Sequence, residues 1–200
     1  MFAIEKIEEI IQGKLYAVKC SALQDDCETE FGDINEFGRL FNLWQDTSYL
    51  FCFFNRHLED LKSGFFGVIS VEEAILITIN EAYNFEQELL SVAKNKINTA
   101  QSLQEIFRPL SDSDKDKYPI PLYLKSKAYG SRKSWLRLYA LRLNDNIYII
   151  TGGGIKLTRT MNTRIHLKNE LKKLDILKQF LIDQGIVDYD GMIDFIELNL

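Results

Sequence analysis

The residues best equipped for chemistry lie late in the chain, in "RLYALRLNDNIYIITGGGIKLTRT", Arg137 to Thr160. Asn and Asp tolerate the backbone of a tight turn, so Asp145-Asn146 predicts a hairpin. In that register Tyr139 faces Gly152 and Arg137 faces Gly154. Strand alternation then sets Trp135, Arg137 and Tyr139 on one face, with Gly152, Gly154, Lys156 and Thr158 beside them. Leu136, Leu138, Ala140, Ile149, Thr151, Ile155 and Leu157 fall on the other, a core face; Arg142 also points that way, as an ion-pair partner.

The polar face is therefore a hollow floored by two residues without side chains and rimmed by cations. Arg137 can grip a phosphate bidentately and Lys156 adds a point charge. Arg159, Thr160, Asn162, Arg164 and Lys168 extend the basic edge. The plainer alternative is that the glycines mark a bulge or a close helix packing. They do not make a nucleotide loop: G-x-x-x-x-G-K-[ST] is absent and no helix follows directly.

The charge distribution points the same way. Between Leu122 and Phe180 stand eight Lys and five Arg against Asp145, Glu170 and Asp175, a net of +10 within a chain of net charge −5. The remainder carries 11 basic and 26 acidic residues, a net of −15. The basic segment suits a polyanion, nucleic acid first, or else it packs against the acidic rest of its own chain. No apolar run reaches the roughly 20 residues a bilayer requires, so no membrane partner is expected. The N-terminus is too charged for a secretory signal. Cys20, Cys27 and Cys52 lack C-x-x-C spacing. They read as buried or idle thiols in a reducing cytoplasm, with no metal and no cofactor.

Several elements position the hairpin. Residues 2–11 place Phe2, Ile4, Ile7, Ile10 and Ile11 at helical spacing ahead of Gly13. "KLYAVKC" reads as a strand and 25–32 as an acidic loop. Asp33 with Glu36 resembles a capping box, followed by Phe37, Leu40, Phe41 and Trp44 as a core stripe. A helix from Thr47 carries Leu50, Phe53, Phe54, Leu58 and Leu61. Ser70 and Glu73 cap a long helix running from Val71 to about Lys96. A short helix spans Leu103 to Phe107. Residues 109–121 read as a linker between an acidic helical half, 1–110, and a basic half, 122–200, of a single domain. "LYLKSKA" is a further strand. Leu167 to Gln184 forms a helix whose Leu167, Leu171, Leu174, Ile176, Leu177 and Leu181 face the core. Lys168, Lys172, Lys173 and Lys178 take its other side, and a short element, "GMIDFIELNL", closes the chain.

At "IITGGGIKLTRTM" the chain resembles the RelE/ParE superfamily of small bacterial toxins, its HigB-like branch in particular. There an apolar hairpin strand leaves through an "hGFvKKTqktp"-like exit into a C-terminal helix. The likeness covers Ser131 to about Phe180; Leu157 stands at the second Lys of the pattern. The stretch is also similar to an ITGGxIKLT motif of uncharacterised bacterial proteins. The resemblance implies an α+β fold with a small antiparallel sheet and a closing C-terminal helix; the helices between Asp33 and Phe107 make a large N-terminal elaboration without a simple counterpart in that family. It further implies metal-independent cleavage of mRNA on the ribosome, in which the ribose 2′-OH attacks the adjacent phosphate and cations steady the phosphorane. Lys156 matches the exit Lys, and Arg137 lies on the strand that supplies a catalytic Arg. Tyr139 joins them by position, and His166 is a candidate acid or base. The implied partners are mRNA, the ribosome and a cognate antitoxin, with a homodimer left open. Two other readings stay beside it: a nucleic-acid or protein-binding module without chemistry, and an accessory protein in which the sheet is only scaffold.

Overall fold

The computed structural model describes residues 3–21, 27, 33–94, 102–111, 123–130, 133–144, 146–159, 164–186, 190–191 and 194–195. The loop expected at 25–32 (Cys27 apart), Asp145 of the turn, Thr160, Asn162, and most of the linker and terminal element lie outside them. The protein is α+β, and the described residues form a six-stranded mixed sheet and six helices.

The strands are β1 (Ala3–Ile11), β2 (Leu15–Ser21), β3 (Arg108–Pro109), β4 (Leu124–Tyr129), β5 (Leu136–Asn144) and β6 (Ile147–Ile155), in the order β1-β2-β6-β5-β4-β3. The expected small antiparallel sheet is corrected at its centre, where β2 runs parallel to β6 with Leu15 opposite Tyr148 and Ala17 opposite Ile150. β1 corrects the expected first helix. Its pairing with β2 slips by one residue between Ile4 and Lys6 and again between Glu9 and Ile11. Each bulge resets the alternation, so Ile4 and Ile7, three residues apart, share one face as they would on a helix. Glu5, Lys6, Glu8 and Glu9 leave this edge strand charged, which discourages pairing with other chains.

Helices α1 (Glu36–Leu43), α2 (Thr47–Arg56), α3 (Leu58–Leu61), α4 (Val71–Lys94) and α5 (Leu103–Ile106) precede the last strands, and α6 (Ile165–Asp183) follows them. The capping box at the start of α4 is present: Ser70 N–H donates to Glu73 Oε2 at 2.9 Å and Glu73 N–H to Ser70 Oγ at 3.1 Å. The one expected at α1 is not. Asn35 is the cap there, accepting from Gly38 N–H at 3.1 Å, while Asp33 pairs with Lys19. Glu36 is left to turn inward.

Two cores flank the sheet. Leu136, Leu138, Ala140, Ile150 and Ile155 pack with Phe37, Leu40, Phe41 and Trp44 of α1 and with α2 and α4, so the aromatic stripes are core as expected. Tyr139, Leu141 and Ile149 pack on the other face with Leu174, Leu177 and Leu181 of α6. Trp135 corrects the hairpin reading. It precedes the strand and enters the first core, donating its indole N–H to Thr78 Oγ1 at 3.0 Å. The thiols expected to be idle are corrected too: Cys27 is joined to Cys52 by a disulfide, and Cys20 remains a thiol. Among the described residues no helix is long and apolar enough to cross a membrane.

Candidate functional site

Tyr139 pairs with Gly152 and Arg137 with Gly154, as the turn chemistry predicts. Beyond Tyr139 the register slips by one, and Ala140 faces Ile150. Thr151 is the extra residue, so the bulge moves Ile149 to the α6 face and leaves Ile150 on the other. The hollow between these strands is filled by the protein itself. A Cβ on Gly152 would lie 2.0 Å from Glu170 Oε2, and one on Gly153 would meet Arg137 O at 2.4 Å and Leu40 at 3.0 Å. Leu167 occupies the space over Gly154. Glycine is needed here for close approach, and what approaches is α1 and α6.

Glu170 belongs to a largely buried group of four charges, of which Glu36 lies deepest. Its Oε2 accepts the Gly153 N–H at 2.9 Å and its Oε1 lies 2.9 Å from Lys173 Nζ. Lys173 also reaches Glu36 Oε2 at 2.9 Å, and Arg39 grips the Glu36 carboxylate through Nε and Nη2, both at 2.8 Å. Two carboxylates and two cations leave no net charge, which makes burial tolerable. Burial acts to raise the Glu36 pKa, but the Lys173 and Arg39 cations outweigh it and hold the group at about 2. Burial opposes the Lys173 charge, yet Glu170 and Glu36 keep its pKa raised. Burial likewise raises Glu170, and it pushes up the Cys20 thiol that donates to Glu36 Oε1 at 3.6 Å. A cavity of about 40 Å³ beside Glu170, Gly153 and His166 has room for water and not for a nucleotide.

Of the four candidate catalytic residues, Tyr139 and His166 do not join Arg137 and Lys156 at the surface. Tyr139 has no exposed surface, and burial raises its phenol pKa. His166 turns to the α2 side, its ring 4.8 Å from His57 and its Nε2 3.2 Å from Ile155 O. Arg164 is held by Asp60, with its Nε 2.6 Å from Oδ2. Together with the pairing of Lys173 to Glu36, this settles part of the basic segment onto the acidic half. Lys173, expected on the outer side of α6, is thus corrected to the inner one.

Arg137 and Lys156 do share a surface. Arg137 Nη1 donates to Ser134 O at 2.6 Å and Leu136 O at 2.7 Å, and its guanidinium lies 4.3 Å over the Tyr129 ring. Lys156 Nζ donates to Arg159 O at 2.9 Å. Burial lowers the Lys156 pKa, and the nearby cations of Arg137 and Lys127 lower it further. Residues opposed across strands share a face, so Arg108 stands beside Lys127, which faces Tyr139 in turn. Asp175 of α6 reaches Lys125 on β4. Lys172 and Lys168, one and two turns earlier on that side of the helix, are exposed along the same margin. Arg159 is exposed at its end. Lys127, Arg137 and Lys156 are each held by backbone carbonyls, and none has a carboxylate ion pair among the described residues.

The composition already separates this basic surface from the acidic helices, but Lys127 and Arg108 escape a reading centred on the hairpin. Glu170 had a signal: it interrupts the stripe Leu167, Leu174, Leu177, Leu181, where a carboxylate needs a buried partner.

The class these observations define is an α+β protein with a mixed sheet between two helical layers, an internal ionic cluster under its glycine strand and a cationic margin. No protein-family model, curated protein or solved structure matches the chain.

Proposed function

We propose that the protein binds nucleic acid through the margin between β4, the ends of β5 and β6, and α6. The observation that carries this reading is the gathering of Lys127, Arg137 and Lys156, none in a carboxylate ion pair among the described residues; burial lowers the Lys156 pKa, and the two neighbouring cations lower it further. A phosphate backbone relieves that mutual repulsion, and Arg108, Lys168 and Lys172 extend the track.

Titration with labelled RNA across a salt series tests the proposal. Each phosphate contact contributes about −0.7 to −0.9 to the slope of log K against log salt. The Lys127→Ala, Lys156→Ala double variant is expected to flatten the slope by about 1.5. Absence of binding at low salt, or binding indifferent to salt, refutes the reading.

One observation favours a second reading, HigB-like mRNA cleavage on the ribosome under the control of an antitoxin. A lysine with lowered pKa beside an arginine suits proton abstraction from a 2′-OH next to a stabilised phosphorane. Lys156 and Arg137 carry that reading without Tyr139 or His166. It requires growth arrest and mRNA cleavage on expression, both lost in Arg137→Ala, Lys156→Ala; a harmless wild type with intact mRNA removes it.

A further inference from the structure

Arg137 borders a second feature, on the α4 side of the sheet end. There a cleft of about 580 Å³ opens between α4, the 64–70 segment and the entry to β5. Phe65 and Phe66 form one wall, their rings 4.9 Å apart and edge to face. Trp135 stands 5.3 Å from Phe66, and Phe65 is half exposed although large and apolar. The polar groups gather at the β5 entry: Lys133, Arg137, Ser134 and Glu81. Ser134 Oγ donates to Glu81 Oε2 at 2.5 Å, which orients that carboxylate.

We infer that this cleft takes an unstacked base of a single-stranded nucleic acid whose phosphates run along the basic margin. The inference rests on the nucleic-acid reading above and deepens it. A nucleobase is flat, apolar on its faces and polar on its edge. The cleft offers the Phe65 and Phe66 rings for the faces, and the Glu81 carboxylate, oriented by Ser134, for the edge. Its volume lies within the roughly 300–1,000 Å³ of ordinary ligand sites. The choice of occupant comes from charge. Its lining carries two cations, Lys133 and Arg137, against the one carboxylate of Glu81, an excess that a purely apolar partner leaves in place and that a nucleotide's phosphate answers. Arg137 joins the two regions, because it lines the cleft while its guanidinium lies over Tyr129, beside Lys127 and Lys156. A duplex keeps its bases stacked inside and cannot fill the cleft without unpairing.

The test compares a short fluorescein-labelled single-stranded RNA with its duplex at one physiological salt concentration. The readout is the ratio of the two dissociation constants, for the wild type and for Phe65→Ala. Because Phe65 is half exposed, its truncation leaves the fold intact, which circular dichroism checks. Stacking on an aromatic side chain is worth about 5- to 150-fold in affinity, so the wild type prefers the single strand by about tenfold and Phe65→Ala brings that ratio close to one. Equal affinity for strand and duplex, or a preference unchanged in Phe65→Ala, overturns the base site and leaves the basic margin standing. A wild type that binds neither RNA overturns both.

Discussion

Replacing Gly152 by alanine takes away the room that Glu170 occupies. A Cβ 2.0 Å from Oε2 cannot coexist with that carboxylate, and the side chain must leave. Its departure strips the Gly153 N–H of its acceptor and leaves Lys173 with Glu36 alone. Breaking a buried charge pair from one side costs about 3–5 kcal/mol, and stranding a buried N–H adds to the upper part of that range. Glu170→Ala is therefore expected to lose about 3 kcal/mol, the low end of that range, since Lys173 keeps its pairing with Glu36. Gly152→Ala is expected to lose about 4 kcal/mol, the extra 1 kcal/mol coming from a side chain at φ +159°. The two changes remove the same interaction, so the double variant is expected to lose about 4 kcal/mol, not the roughly 7 kcal/mol of independent sites. Urea unfolding of the four proteins, with midpoints compared at a common m-value, measures the coupling directly. Additive losses would refute the claim that glycine at 152 makes room for Glu170.

Two further outcomes follow from buried chemistry. Glu36 is held at about 2 in the folded protein against an ordinary 4.5, so its contribution is present above pH 4.5 and drains away as pH falls toward 2. That contribution is about 3 kcal/mol, and Glu36→Gln is expected to flatten the acid limb of a stability–pH profile in this window; a profile identical to wild type counts against it. The Cys27–Cys52 bridge closes a separation of 25 residues, for which chain entropy gives about 3.5 kcal/mol, so reduction is expected to lower the urea midpoint of the wild type and to leave that of Cys52→Ser unchanged. Equal midpoints with and without reductant contradict it.

What the sequence made legible was local. The Ser70–Glu73 box is written in two residues three apart, and the helix obeys it. The hairpin follows from Asn146 and its neighbours, and its register is right as far as Tyr139. Two of the failures share one physical form, a single residue inserted into a ladder. At Thr151 it exchanges the faces of Ile149 and Ile150. At β1 two such shifts let a strand imitate the spacing of a helix. Bulges depend on the partner strand, which a period count cannot see. Glu36 was hidden differently: its spacing from Asp33 fits a cap, and only the arrival of Lys173 from 137 residues away explains why it turns inward.

The buried cluster and the basic margin are two ends of one arrangement. Glu170 and Lys173 pin α6 by its inner side, to the Gly153 N–H and to Glu36 of α1. On a helix held there, the outer positions Lys168 and Lys172 come to lie along β4, in line with Lys125, Lys127 and the Arg137 end of β5. The three glycines that suggested a phosphate cradle thus act one step removed from it. They accept a carboxylate of the chain, and that carboxylate sets the helix whose lysines complete the cationic track. Glu170→Ala is accordingly expected to weaken nucleic-acid binding although Glu170 touches no phosphate. The loss should appear as a reduced salt slope, since misplaced lysines make fewer phosphate contacts. An unchanged slope in a folded Glu170→Ala protein would separate the cluster from the surface and leave it a purely internal support.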